Sequence, residues 1–184
     1  MRSCLFAFAI LFLIGAFIPA QAQSDRHVVV NQERLSDADV AALEQRYRVR
    51  VQDGAYWYDH RIGTWGFEGG PAVGVIPAGL DIGGPLRADA SNGTTGVFVN
   101  GRELHRQDVA ALTGLLGPIQ PGRYWADANG NVGHEGGPAL VNVYAVARAR
   151  GGNTFYRSGN TGYGSGSSGG TSYVMGKDWS VIVD

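Results

Sequence analysis

The sequence has very little cysteine, little charge and only one long apolar run. Its single cysteine, Cys4, lies in an N-terminal apolar segment, so the rest of the chain has no disulfide, thiol nucleophile or cysteine metal ligand. The formal net charge of −1 gives no global field that would attract nucleic acid or an anionic membrane. Glycine is abundant instead, with 29 residues, which favours turns and close backbone packing over long helices.

The apolar run has the features of a cleaved signal peptide. Arg2 precedes the apolar residues 5–18, and Ala20-Gln21-Ala22 supplies the small residues that a signal peptidase requires. We therefore predict a signal peptide over 1–22 and a secreted or periplasmic protein with no membrane span after cleavage. The alternative is an N-terminal anchor, but the run is short for a span of about 20 residues.

An internal repeat organises the remaining chain. The Val-Asn pair at 30–31 recurs at 99–100, and the Asp-Val-Ala-Ala-Leu segment at 39–43 recurs at 108–112. The Tyr-Trp-x-Asp segment at 56–59 recurs at 124–127, and the Gly-x-Glu-Gly-Gly-Pro-Ala segment at 66–72 recurs at 133–139. The spacing falls from 69 to 67 residues only between these blocks, as expected for loops that tolerate deletion. The chain is therefore predicted to contain two copies of one structural unit.

Each unit is predicted to be a β-α-β-β arrangement. A short strand precedes a helix, for which Ser36 is the predicted cap in the first unit and His105 in the second. Apolar residues then alternate with a period of two, and Asn129-Gly130 is a strong hairpin signal.

We predict an α+β fold in which two tandem β-α-β-β repeats pack as one domain, followed by a C-terminal helix and a closing strand. The helix is predicted from the apolar spacing between Pro138 and Arg150. The predicted bounds are repeat unit 1 at 23–72, a connector at 73–96, repeat unit 2 at 97–139, the helix and a turn at 140–157, a mobile Gly/Ser-rich loop at 158–171, and the closing strand at 172–184.

The repeated hairpin resembles a motif in secreted bacterial proteins of unassigned function. The resemblance rests on Tyr-Trp-x-Asp, the Asn-Gly turn and the trailing Gly-x-Glu-Gly-Gly-Pro-Ala, and it covers chiefly residues 97–139. It implies an exported protein but no particular activity. A looser analogy links the aromatic hairpins to choline-binding cell-wall repeats, although units of about 68 residues with a helix depart from that pattern.

The aromatic hairpins form the candidate ligand site. Tyr and Trp rings edged by carboxylates suit a sugar or an ammonium group through stacking and cation–π attraction. The alternative is that the rings are core residues, which pack between the two units. The predicted ligand-binding residues are Tyr56, Trp57, Asp59, Tyr124, Trp125 and Asp127.

The sequence supports catalysis and metal binding less than it supports ligand binding by the aromatic hairpins. Glu68 and Glu135 are equivalent in the repeat and could act as a hydrolytic pair, but a carboxylate before Gly-Gly more often bonds to its own turn. The Asp127-x-Asn129-x-Asn131 segment lacks the glycine and the later acid of a calcium loop. No G-x-S-x-G segment or phosphate loop is present. We therefore predict no catalytic residue, metal or cofactor.

These features predict a non-catalytic binding or structural module of the cell envelope, with cell-wall glycan or another envelope protein as its partner and no nucleic acid. Two alternatives remain open. One is a hydrolase that uses Glu68 and Glu135, and the other is an assembly module that acts through the Gly/Ser/Tyr-rich C-terminal loop.

Overall fold

A computed structural model describes residues 26–150 and, beyond them, four strands at 154–157, 164–168, 171–176 and 179–183. The predicted signal peptide at 1–22 lies outside the described residues. Within the described part of the chain, no helix has both the length and the apolar character needed to cross a membrane.

The first repeat unit is a five-stranded sheet with one helix. Its strand order is β2-β1-β3-β4-β5, in which β1 and β3 are parallel and the other neighbours are antiparallel. Helix α1 is the crossover that the parallel pair requires. Ser36 caps α1 as predicted, because its hydroxyl accepts a hydrogen bond from the Asp39 N–H at 3.1 Å. The elements are β1 (Val28–Val30), β2 (Glu33–Arg34), α1 (Asp37–Tyr47), β3 (Gly54–Tyr58), β4 (Thr64–Phe67) and β5 (Ala72–Val75).

The second unit repeats this topology. Val28 pairs with Gly54 in the first sheet, and the equivalent Val97 pairs with Gly122 in the second. The predicted α+β fold with two tandem repeats in one domain is therefore confirmed. The elements are β6 (Val97–Val99), β7 (Arg102–Glu103), α2 (Arg106–Leu116), β8 (Gly122–Ala126), β9 (Asn131–His134) and β10 (Ala139–Asn142), in the order β10-β9-β8-β6-β7.

Each unit contains two more strands than the sequence predicted. The short strands β2 and β7 follow tight two-residue turns, Asn31-Gln32 and Asn100-Gly101, whose φ values are all positive, as a hairpin turn of this length favours. The strands β5 and β10 follow the Gly-Gly-Pro segments and complete each sheet at its far edge. The duplicated unit is therefore β-β-α-β-β-β.

The predicted C-terminal helix begins later than expected. Residues Ala139–Asn142 form β10, because they pair with β9 as β5 pairs with β4. Helix α3 (Val143–Ala149) begins only where the Asn142 side chain accepts a hydrogen bond from the Ala145 N–H at 2.9 Å. Leu140, predicted to lie on the apolar stripe, is 61% exposed, whereas Val143 and Ala147 are buried.

The C-terminal strands form a separate antiparallel sheet in the order β11-β12-β13-β14. Strands β12 and β13 lie beside β5, and β14 lies beside α1. Strand β12 falls within the predicted Gly/Ser-rich loop, whose residues 158–163 and 169–170 lie outside the described residues. The segment predicted as one closing strand at 172–184 is divided between β13 and β14. The four elements are β11 (Thr154–Arg157), β12 (Gly164–Ser168), β13 (Thr171–Gly176) and β14 (Trp179–Val183).

The first sheet separates two apolar cores. Val28, Val30 and Tyr58 lie on the side of α1, together with Val40 from that helix. Trp57 lies in the other core with Ala72 and Ala90. Successive residues of a strand point to opposite faces, so Tyr58 and Trp57 enter different cores. The face that carries Trp57 is the one that the second unit covers.

Candidate functional site

The two tryptophan hairpins have the same local structure. The indole Nε1–H of Trp57 donates to the Gly70 carbonyl at 3.1 Å, and that of Trp125 donates to the Gly137 carbonyl at 2.9 Å. Each ring lies on a glycine of the next strand. A Cβ atom at Gly66 would approach Trp57 to 2.6 Å, and one at Gly133 would approach Trp125 to 2.8 Å. The repeated glycines therefore make room for the rings.

An asparagine holds each hairpin to the preceding turn. The Asn31 side chain donates to the Tyr58 carbonyl and accepts from the Tyr58 N–H, both at 2.9 Å. Asn100 makes the equivalent bonds to Ala126 at 3.1 and 3.0 Å. Both asparagines have a left-handed backbone, with φ of 48° and 50°, which asparagine tolerates better than most residues. Sequence reasoning gave these residues no role, although the repeated Val-Asn pair marked them.

The ring of Trp57 is covered by an arginine from the second unit. The Arg102 guanidinium lies 3.8 Å from the ring centre, and Trp57 is 1% exposed. Arg102 also donates to Ser91 Oγ at 2.7 Å and to Asp108 Oδ2 at 3.3 Å. A guanidinium over an indole in a desolvated site is stabilised by about 2 kcal/mol. Trp57 is therefore the centre of the interface between the units.

Two carboxylates complete this interface. Asp108, from the first turn of α2, accepts the Ala72 N–H of the first unit at 2.9 Å. Asp59, from the first unit, accepts a hydrogen bond from the Asn100 side chain of the second unit at 2.8 Å. The Arg102 and Asp108 side chains are only 3% and 2% exposed, so each charge depends on its partners for stabilisation.

The equivalent face of the second unit is open. Trp125 is partly exposed, and Ala139, which corresponds to the buried Ala72, is exposed. Among the described residues, no cation lies over the Trp125 ring. The residue of the first unit that corresponds to Arg102 is Glu33, which is also exposed. This interface therefore forms once, between the first unit and the second. The second unit carries the equivalent surface at Trp125, and that surface is open in the described part of the chain.

The six predicted ligand residues do not form one surface. Trp57 and Asp59 are buried under the second unit, whereas Trp125 and Asp127 remain partly exposed. The two tyrosines lie on the helix side of their sheets, where their hydroxyls donate to loop carbonyls at 2.9 Å; they are Tyr56, bonded to Gln52, and Tyr124, bonded to Gln120. The first hairpin packs against β7 and α2 of the second unit.

Asp127 organises its own turn. One carboxylate oxygen accepts the N–H groups of Asn129 and Asn131 at 2.9 Å, and the other accepts the Asn131 side chain at 2.9 Å. The Asn131 side chain is the main cause of a lowered pKa of Asp127, and the positive charge of Arg61 acts in the same direction. Both carboxylate oxygens therefore accept hydrogen bonds from within the turn. Asp127 therefore has a clear structural role in this hairpin.

The remaining candidate groups show no catalytic arrangement. Glu135 pairs with Arg123 at 2.6 Å, with both side chains 56% exposed, and Glu68 is exposed on its own turn. His105 caps α2 as predicted, because its Nδ1 accepts the Gln107 N–H at 3.2 Å. Within the described residues, no three histidine or acidic side chains gather closely enough to hold a metal ion.

An apolar cavity of about 150 Å³ lies on the other side of the first sheet, beneath α1. Its wall includes a cluster of aromatic rings: Tyr56 and Phe67 lie 5.2 Å apart between centres, and Tyr56 and Trp65 lie 5.9 Å apart. Strand β14 runs beside α1, close to this region. The first unit supplies most of the cavity wall, Trp57 contributes to it, and the segment after β5 adds Ile76, Pro77, Leu80 and Ile82.

Comparison with known proteins found relatives in a plant. The chain is 33% identical over 124 residues, or 65% of its length, to extra-large guanine nucleotide-binding protein 1 of Arabidopsis thaliana. It is 29% identical over 130 residues, or 68% of its length, to extra-large guanine nucleotide-binding protein 2 of the same plant. The matches cover 14% and 15% of those proteins, so the chain spans about one seventh of the length of the curated relatives it matches. No family model and no solved structure matches the chain.

These relatives correct several predictions from the sequence. Because the matching proteins are plant guanine nucleotide-binding proteins, the resemblance to secreted bacterial proteins is wrong, and so is the predicted secreted or periplasmic location. The predicted envelope module, with cell-wall glycan or an envelope protein as its partner, is wrong for the same reason. The alternatives of a Glu68/Glu135 hydrolase and of an assembly module through the C-terminal loop also fail.

Proposed function

We propose that the two-unit domain is a non-catalytic protein-binding module, and that it does not itself hold a guanine nucleotide. The observation that carries the proposal is the extent of the match: the chain shares one compact segment, about one seventh of the length, with proteins named for binding guanine nucleotides. A segment of this size is typical of an accessory domain within a larger protein.

The residues of the chain argue against a nucleotide site. A phosphate loop requires Gly-Lys followed by Ser or Thr, but the only lysine in the chain, Lys177, is followed by Asp178. The buried cation Arg102 is already engaged by Asp108, Ser91 and the Trp57 ring. The nucleotide function in the relatives' name is therefore not proposed for this chain.

Protein recognition fits the remaining surface. The outer face of the second sheet has a partly exposed indole, and the adjoining strand carries the 61% exposed Leu140. Partly exposed aromatic residues with an apolar neighbour are enriched at protein interfaces.

Two experiments test this proposal. Titration of the full chain with a fluorescent guanine nucleotide should give no saturable change in anisotropy, and saturable binding would contradict the proposal. Selection of phage-displayed peptides on the folded chain should enrich sequences that bind saturably in calorimetry. Peptides that also bind the heat-unfolded chain are discarded as a control, and failure to enrich any peptide would count against a protein-binding role.

A further inference from the structure

We infer that the open face at Trp125 binds an arginine-bearing segment of a partner protein. This inference rests on the proposed protein-binding function and specifies the chemistry of the partner. We call this surface the Trp125 face and define it by Phe98, Arg123, Trp125, Glu135 and Ala139. The first four lie on one side of the second sheet by strand alternation and register, and Ala139 begins the adjoining strand.

The chain itself contains an arginine bound to the equivalent tryptophan of the first unit. Trp57 and Trp125 share the same indole hydrogen bond and the same supporting glycine, so the two rings present similar surfaces. At Trp57, the surface is occupied by the Arg102 guanidinium, 3.8 Å from the ring centre. A surface that binds a guanidinium in one copy is suited to bind one in the other, because the contact depends on the exposed π face.

The contact between Arg102 and Trp57 also indicates which other group the partner segment carries. Asp108 lies six positions after Arg102 in the chain, and its carboxylate accepts the Ala72 N–H. The corresponding residue at the Trp125 face is the exposed Ala139. We therefore expect the partner segment to carry a carboxylate close to its arginine, which would contact the sheet edge at Ala139.

The charges of the Trp125 face permit an incoming cation. Its one cation, Arg123, is paired with Glu135 at 2.6 Å and lies 5.2 Å from the Phe98 ring. The pair is exposed and has no net charge, so it repels a second guanidinium only weakly.

A second copy of this chain is a poorer occupant. A head-to-tail dimer would bring the first unit of one copy to the Trp125 face of the other. That unit has Glu33 where the second unit has Arg102, so it would bring a carboxylate to the indole face. The negative face of an aromatic ring does not favour an anion. A separate protein that presents an arginine is therefore the occupant that the chemistry selects.

The experiment follows the indole N–H signals of the ¹⁵N-labelled full chain by NMR. N-acetyl-arginine amide should shift the Trp125 signal saturably, and N-acetyl-lysine amide should bind about tenfold more weakly because it lacks the planar guanidinium. The Trp57 signal should not move, because Arg102 already covers that ring. An equal response to both amides, or no response at Trp125, would overturn the inference.

Two substitutions and a control locate the binding. These variants lack the Trp125 indole N–H, so binding is followed in them at the backbone N–H signals of Arg123 and Ala139. Trp125→Leu should abolish the arginine response there, whereas Trp125→Phe, which keeps an aromatic ring, should retain part of it. Tyr124→Phe is the matched control, because Tyr124 lies on the opposite face of the same strand and should leave binding unchanged. Loss of the response in the control alone would place the site on the helix side and would also overturn the inference.

The outcomes separate this inference from the proposed function. If selected peptides bind the chain without arginine and without shifting Trp125, the protein-binding function stands and the arginine site fails. If no peptide is enriched, the protein-binding function itself fails. Sedimentation of the chain alone adds a third outcome, because a dimer that disappears in Trp125→Leu would show a second copy on this face and would overturn the inference.

Discussion

Arg102 of the second unit stacks on Trp57 of the first, with the guanidinium 3.8 Å from the ring centre. The two residues are 45 positions apart, and they join the two copies of the repeat. One carboxylate oxygen of Asp108 accepts a hydrogen bond from Arg102, and the other accepts the Ala72 N–H. The stability of the whole domain is therefore expected to depend on this one contact region.

Removal of Arg102 should be strongly destabilising. Arg102→Ala leaves the Asp108 carboxylate buried without its cation, which costs about 3–5 kcal/mol in the free energy of unfolding. Arg123→Ala removes an arginine from an exposed pair and should cost less than about 1 kcal/mol. Urea unfolding of both variants measures the difference. Similar losses in the two variants would show that the buried pair does not hold the units together.

The glycines beneath the tryptophans should not tolerate a methyl group. A Cβ at Gly66 would lie 2.3 Å from the Pro71 carbonyl oxygen, and one at Gly133 would lie 2.2 Å from that of Pro138. Both alanine variants should lose about 1–3 kcal/mol of stability, as overpacked sites do.

Gly114→Ala is the matched control for these variants. Gly114 lies within α2, has no positive φ, and a Cβ there meets no atom within 4 Å. This substitution should stabilise the protein by about 0.5–1 kcal/mol, because alanine is the better helix former. Thermal denaturation of the three variants compares them directly, and a stable Gly66→Ala protein would contradict the described packing.

The hydroxyl of Tyr58 should contribute to the stability of the folded protein. The hydroxyl donates to the Pro77 carbonyl at 2.6 Å and accepts the Leu80 N–H at 3.2 Å, and burial raises the pKa of Tyr58. Tyr58→Phe leaves both backbone groups without this partner and should cost about 1–3 kcal/mol. Tyr56→Phe, which removes the hydroxyl bond to the Gln52 carbonyl from a partly exposed side chain, is the control and should cost less.

Asp127 should make the stability of its hairpin sensitive to acid. Hydrogen bonds from Asn131 lower the pKa of Asp127 in the folded protein. Its contribution is therefore fully present above the unfolded pKa of about 4, and it is lost as the pH falls through the lower folded value. Asp127→Asn should flatten the loss of stability below about pH 4, measured by unfolding at a series of pH values. If the stability of Asp127→Asn falls with acid as steeply as that of the unsubstituted protein, other carboxylates cause the loss.

Features that depend on neighbouring residues were predictable from the sequence. The Asn129-Gly130 turn and the caps at Ser36 and His105 were correctly placed, because a few adjacent side chains determine each. The start of α3 was misjudged, because pairing with β9 draws 139–142 into a strand despite their helical spacing. The strands β2 and β7 were missed because two residues carry too little periodicity to be recognised.

The sequence by itself determined the duplication, since two copies of one pattern fold locally into two similar sheets, each with a helix and a tryptophan hairpin. Only the tertiary structure decided that Trp57 is buried and Trp125 is open. The two hairpins share the Tyr-Trp-x-Asp and Gly-x-Glu-Gly-Gly-Pro-Ala segments, and the difference in burial between their tryptophans arises from Arg102 and Asp108, which reach the first hairpin from the second unit. Burial is a property of what packs against a residue, and no residue from a further unit packs against Trp125 in the described part of the chain.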